Sequence, residues 1–186
     1  MSERALEETR AWVERVVIGL DLCPFAKAPQ KQGRVRYVLS EARDAEALLA
    51  TLVEELNLLA ETPAERTETT LIVHPHVLAD FADYNEFLAV AEAAVLELGL
   101  EGVLQVASFH PRYQFAGTSA DDLGNATNRS PHPTLHLLRE ASIERALTAF
   151  PDPAAIFEAN ITTLEKLGAD GWAALQQQCR DDAANG

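Results

Sequence analysis

Five histidines, His74, His76, His110, His132 and His136, and one cysteine, Cys23, are the residues whose types and spacing could do chemistry. Three of the histidines lie in one stretch, Ser108 to Glu140, which also carries Arg112, Arg129, Arg139, Asn125, Asn128, Tyr113 and a Gly117-Thr118-Ser119 turn. That stretch is too polar for a core and too long for an idle turn. Long loops inside compact domains are usually functional or disordered. Phe109, Phe115 and Leu123 punctuate this one and predict order.

Metal binding is one chemistry the histidines could do. In an extended segment His74 and His76 project to the same side, because strand side chains have a period of two. His132, His136 and Glu140 are spaced by four, which on a helix would place them on one face. Pro133 breaks that pattern, since the residue before a proline avoids the α region and His132 then leaves the helix. The chain has no HExxH and no paired CxxC. The metal reading takes His74, His110, His132 and His136, with Cys23 as a further ligand. No cofactor is identified, and a hydrolase or lyase using a divalent, zinc-like metal is the alternative these histidines leave open.

Acid–base or anion chemistry without a metal is the second, and it is preferred. Pro133 suits the first residue of a helix, which would put His136 in the first turn. The positive end of the helix dipole keeps an imidazole there neutral. A neutral imidazole serves as a general base or a polarising donor, and the same helix end offers N–H groups to a phosphate or carboxylate. His110 and His136 are therefore the expected acid–base residues. Arg112 and Arg129 would hold the anion. Asn125, Asn128, Tyr113 and Thr118 complete the expected ligand-binding set. Taken alone, Arg129 equally fits a salt bridge to Asp121 or Asp122.

Cys23 is expected as nucleophile, ligand or wall of the site. A helix C-terminus raises its thiol pKa and nearby Lys27 lowers it. A buried inert thiol is the commonest fate of a lone cysteine. From Cys23 to Leu39 the chain has four basic residues, Lys27, Lys31, Arg34 and Arg36, and no acidic one. That reversal reads either as a solvated loop or as an attraction for an anion. A non-catalytic metal or haem sensor, and an interaction domain whose polar loop is only structural, stand as further classes.

The elements that must position these residues follow from periodicity. Residues 3–21 have the spacing of an amphipathic helix through Trp12, Val13, Val16, Val17 and Leu20. Val35–Leu39 alternates as a half-buried strand. Asp44 caps a helix with Leu48, Leu52, Leu56 and Leu59 on one face. Residues 70–74 form a continuously apolar strand, the type covered on both faces. Asp83 and Glu86 suggest a capping box for a helix that ends at Gly99. Val103–Phe109 is a third strand, and a fourth could lie in Gln114–Thr118. Helices are expected from Pro133 toward Leu147, from Pro153 to Gly168, and around Trp172.

This order predicts an α/β fold. It has a small, mainly parallel sheet of three to four strands flanked by helices, an N-terminal helix and a helical C-terminal extension. One domain spans residues 1–186, with a flexible tail from about residue 180. Ligands of open α/β sheets bind outside the carboxyl ends of the strands. His74, His76 and His110 all stand at such ends.

Composition narrows the partners. The chain has 186 residues, 47% hydrophobic, and a net charge of −14. Nucleic-acid binders carry a basic footprint, so neither nucleic acid nor an anionic membrane is an expected partner. A small anionic molecule is. Two distant cysteines suit a reducing compartment. The N-terminus lacks the apolar core of a signal peptide, and a cytoplasmic protein is expected. The expected function is a small-molecule enzyme, or a ligand-binding domain derived from one, with a His/Arg/Cys site for an anion. Oligomeric state is not legible.

Five motifs are also distinctive together: Leu22-Cys23-Pro24-Phe25-Ala26, the His74-Pro75 step, Phe109-His110-Pro111, Phe115-Ala116-Gly117-Thr118, and the run from Asn128 through Glu140. With them the chain resembles a bacterial family known as domain of unknown function 1415, over about residues 8 to 170. The resemblance supplies grouping and not mechanism. It implies that the Cys23 motif and the 108–140 motif belong to one pattern, with Cys23 facing the histidine site.

Overall fold

The computed structural model describes residues 2–150 and 152–185. Helix α1, Ser2–Trp12, continues through a π-helical stretch, Val13–Ile18. There the ladder shifts by one residue, so that the Gly19 N–H donates to Glu14 O and the Leu22 N–H to Val17 O. The expected single helix over 3–21 thus ends early and loosely. Asp21, at φ 54°, turns the chain into the Cys23 loop. A short helix α2, Lys27–Lys31, leads to strand β1, Val35–Leu39.

Helix α3, Ala45–Glu61, connects β1 to β2, Thr69–Val73. The Asp44 side chain caps α3 by accepting from the Ala47 N–H at 2.8 Å, as expected. Helix α4, Phe81–Glu97, connects β2 to β3, Leu104–Phe109. Its cap is Asp80, which accepts from the Ala82 N–H at 2.9 Å, and not Asp83. Either Asp could cap, and the strained Leu78 (φ 57°) sets the entry three residues earlier.

Thr134–Arg139 is strand β4, where a helix was expected. It lies between β2 and β3 and runs antiparallel to both, while β1 and β2 are parallel. The strand order is β1-β2-β4-β3. The fold is thus the expected α/β class with four strands, but one parallel and two antiparallel pairings replace the mainly parallel sheet. The fourth strand is not at Gln114–Thr118. Leu135 and Leu138 fit a helical face, while Leu135 and Leu137 fit one face of a strand. Helix propensity is a weak prior that tertiary context overrides. Here two strand edges stood unpaired, and β4 satisfies the N–H and C=O groups of both.

Each face of the sheet carries its own core. On one, Ile72, Leu135 and Leu137 pack with Leu48, Leu52 and Leu56 of α3 and Tyr84, Phe87 and Ala91 of α4. On the other, Leu71 packs with Trp12, Val13 and Val16 and with Leu164, Trp172 and Cys179. The last three come from the C-terminal helix. Helix α5, Glu140–Ala149, follows β4 directly, and α6, Pro153–Asn185, is one long element bent at Gly168 (φ 69°). Helix α6 continues through Asn185, and Gly186 lies outside the described residues. No helix among the described residues is long and apolar enough to cross a membrane.

Candidate functional site

The alternation of β4 decides where the polar residues go. Leu135 and Leu137 face the α3–α4 core, so His136 and Leu138 face the other side. His136 stands in mid-sheet, paired with Leu71 on β2 and Ala107 on β3. It opens into a cavity of about 540 Å³. The sheet supplies Thr69, Leu71, Ala107 and Phe109 to this cavity, α1 and its π-helical end supply Trp12, Val13 and Val17, and Cys23 and Phe25 come from the following loop. Ile143, Ala146 and Leu147 of α5 close the remaining side. The wall is almost entirely apolar.

His136 and its partner Thr69 are polar groups set into that wall. Burial lowers the His136 pKa from 6.5 to about 4, so the ring is neutral. Its Nε2 lies 2.6 Å from Thr69 Oγ1. The neutrality expected for His136 thus has a different cause, because the residue is in a strand and burial lowers its pKa. The helix N-terminus expected to receive an anion does not exist, and the backbone N–H groups of 134–139 belong to the sheet ladder.

Cys23 lines the same cavity. Burial pushes its thiol pKa up, against the N–H groups of Phe25 and Ala26, which lower it. The thiol form dominates near neutrality, which suits a wall better than an attacking thiolate.

One rim of the cavity is charged. Glu68 takes Arg34 Nη1 at 2.7 Å, the Ser142 hydroxyl, and Arg145 Nη2 at 3.4 Å. Arg139 spends its guanidinium on the carbonyls of Leu59, Thr62 and Thr67. This rim stands at the amino ends of β1 and β2, opposite the strand ends that general α/β experience favours. Sequence reasoning missed Thr69, Glu68, Ser142 and Arg145. Only the period-two alternation through His136 and Leu138 could have pointed to them.

His74 and His110 lie at the carboxyl ends of β2 and β3 as expected, but on the opposite face from His136. The His74 ring stacks on Tyr84 with centroids 5.8 Å apart, and His110 tilts against Tyr84 at 5.0 Å. Each imidazole contacts a carbonyl of the same turn: His74 Nδ1 lies 3.1 Å from Val77 O and His110 Nε2 lies 3.2 Å from Leu78 O. His110 Nδ1 accepts from the Arg112 N–H at 3.0 Å. Burial lowers both pKa values, that of His74 to about 4. His132 sits elsewhere, with Nε2 2.7 Å from Glu8 Oε2, and His76 lies 3.3 Å from Glu41. His74, His110, His132 and His136 therefore do not converge. Among the described residues no group of three or more His, Cys, Asp or Glu could hold a metal ion.

The remaining expected ligand-binding residues tie their own loop together. Asn125, fully buried, accepts from the Phe115 N–H and the Thr118 hydroxyl at 2.9 Å each and donates to Ser119 O at 2.8 Å. Asn128 donates to Ser108 O at 3.1 Å. Arg129 donates to Tyr113 O at 3.1 Å and Ala120 O at 2.7 Å. Arg112 reaches Ala79 O and Asp80 at the cap of α4. The Tyr113 ring packs between Phe81 and Phe115. These expected ligand-binding side chains are engaged with the protein itself, while the buried Thr127 Oγ1 of the same stretch has no partner. Of the expected set, only Cys23 and His136 line the large cavity.

A family profile described as protein of unknown function (DUF1415) matches residues 4–174. Searches of curated proteins and of solved structures return no match.

Proposed function

The chain belongs to the DUF1415 family, and from that premise we propose that it takes a small organic molecule into the cavity beneath His136, as an enzyme or an enzyme-derived binding domain. The observation that carries this reading is an apolar cavity of about 540 Å³ with one neutral imidazole set in its wall. Binding pockets typically combine this size and apolar lining with a few placed polar groups. A ligand burying roughly 200 Å² of apolar surface gains about 5 kcal/mol at about 25 cal/mol per Å². The costs of association offset part of that gain, so affinity toward the millimolar end is the scale for a simple apolar probe, about 0.2 mM at the tightest.

Cys23 forms wall in this reading, and His136 is the group that can orient or deprotonate a ligand. A cytoplasmic setting is part of the proposal, supported by the two free thiols, Cys23 and Cys179. N-phenyl-1-naphthylamine, whose fluorescence rises in apolar surroundings, tests the reading directly. The wild-type protein should bind it saturably. Ala146→Trp, which fills the cavity from α5, should abolish the signal. Equal binding by that variant would place the probe elsewhere and remove the proposal.

A further inference from the structure

We infer that the ligand of this cavity is an uncharged apolar molecule bearing a hydroxyl, whose O–H donates to His136 Nδ1. The inference rests on the cavity reading above and specifies its chemistry.

Thr69 Oγ1 has a single proton, and the hydroxyl lies 2.6 Å from Leu137 O, which can only accept. The Thr69 proton therefore goes to Leu137 O. The contact between Thr69 Oγ1 and His136 Nε2 must then be a bond donated by the ring. A neutral imidazole carries one N–H, so Nε2 holds it and Nδ1 is a bare acceptor. Among the described residues Nδ1 has no partner, and His136 is part of the cavity wall. Nδ1 is not among the fully buried partnerless atoms, so water can reach it, and a ligand that fills the cavity is best matched when it brings a donor in place of that water.

The surrounding groups favour a neutral ligand over the ionic alternatives. An anion would place negative charge against a lone pair. The cations that line the cavity have donors engaged, Arg139 with three carbonyls and Arg145 with Glu68 and Ser142, so an anion would have to displace these bonds. An ammonium could donate to Nδ1, but it would bring its charge into a wall whose one carboxylate, Glu68, is tied to Arg34 and Ser142 at the rim. Burying an unpaired charge is far costlier than burying a hydroxyl with a partner. On this proposal the ligand is neutral, where the basic residues led to the expectation of an anion.

The experiment is a displacement series at pH 7 against N-phenyl-1-naphthylamine with three probes of one shape: naphthalene, 2-naphthol and 2-naphthoate. The expected order is 2-naphthol tightest, naphthalene weaker by about fivefold, as one net hydrogen bond allows, and 2-naphthoate weakest. In His136→Phe the advantage of 2-naphthol over naphthalene should vanish while naphthalene binding persists. Equal affinity of naphthalene and 2-naphthol in the wild type would overturn the hydroxyl inference and leave the cavity reading standing. Tightest binding of 2-naphthoate would also overturn it, in favour of an anion. Failure of all three, and of the fluorescent probe, would remove the cavity reading itself. Should His136→Phe not fold, nitrogen NMR of the wild-type ring decides. The Nδ1 resonance should start at the bare-acceptor position and move with 2-naphthol but not with naphthalene. An Nδ1 that is protonated from the outset sinks the inference.

Discussion

Thr69 Oγ1 stands 2.6 Å from His136 Nε2 and, through its own proton, 2.6 Å from Leu137 O. One hydroxyl on β2 thus fixes both the tautomer and the orientation of the ring on β4. Thr69→Val keeps the shape of the side chain and removes both bonds. We expect a loss of about 1–3 kcal/mol, the usual cost of stranding a buried polar group, by urea unfolding. The His136 ring should then show both tautomers by nitrogen NMR. Thr69→Ser should restore a single one. A Val variant that keeps the single Nε2–H form would mean that something other than Thr69 sets the ring.

The loop from His110 to Ser130 is held by Asn125, whose amide bonds the Phe115 N–H, the Thr118 hydroxyl and Ser119 O. Asn125→Ala should lower stability by about 1–3 kcal/mol. Affinity for N-phenyl-1-naphthylamine should remain within about twofold, because no bond of Asn125 reaches the cavity and effects at separate sites are largely independent. A selective loss of binding with stability intact would return this loop to the functional site.

Tyr84 ties α4 to the sheet by donating to Thr134 O at 2.8 Å and accepting from the Phe109 N–H at 3.1 Å. Tyr84→Phe leaves both backbone groups buried without this partner. The expected cost is about 1–3 kcal/mol, read as a fall in Tm. A neutral result would show that the two groups find other partners.

Acid should destabilise the fold through His74 and His136. Burial lowers both from 6.5 to about 4. In the unfolded chain they take up a proton below about 6.5, whereas in the fold they resist protonation until about 4. The unfolded state therefore binds more protons in that window, and stability falls as pH drops. The stabilisation is fully present above pH 6.5, and each residue contributes a loss on the order of 3 kcal/mol by pH 4. His136→Phe should flatten the stability–pH curve between these values. An unchanged slope would refute the assignment.

The Cys23 thiol, raised by burial, should react with a disulfide reagent at pH 7 more slowly than free cysteine, since the thiolate is the attacking form. Occupying the cavity with N-phenyl-1-naphthylamine should slow it further. The Cys23→Ser variant separates its signal from that of Cys179. Rapid reaction, indifferent to the probe, would mean that Cys23 does not face the cavity.

Much of the scaffold is legible in the sequence because it depends on local pattern. The leucine stripe of α3, its Asp44 cap, the apolar β2 and the histidines at the ends of β2 and β3 all follow from spacing and turn chemistry. The family motifs likewise linked the Cys23 loop to the 128–140 run, and both contribute to one cavity through Cys23 and His136. What spacing misassigned was Thr134–Arg139. Its leucines satisfy a period of two and a period near 3.6, and Pro133 is an acceptable start for either element.

The sequence by itself determined an α/β chain, the elements around β1 to β3, and the residues able to do chemistry. The tertiary structure decided which of those residues meet. Strand β4 forms because the edges of β2 and β3, distant in sequence, both need backbone partners. Once it is a strand, side chains alternate between faces, and one step separates His136 from the core that holds His74 and His110. That placement depends on pairing between segments some sixty residues apart, and no local pattern carries it.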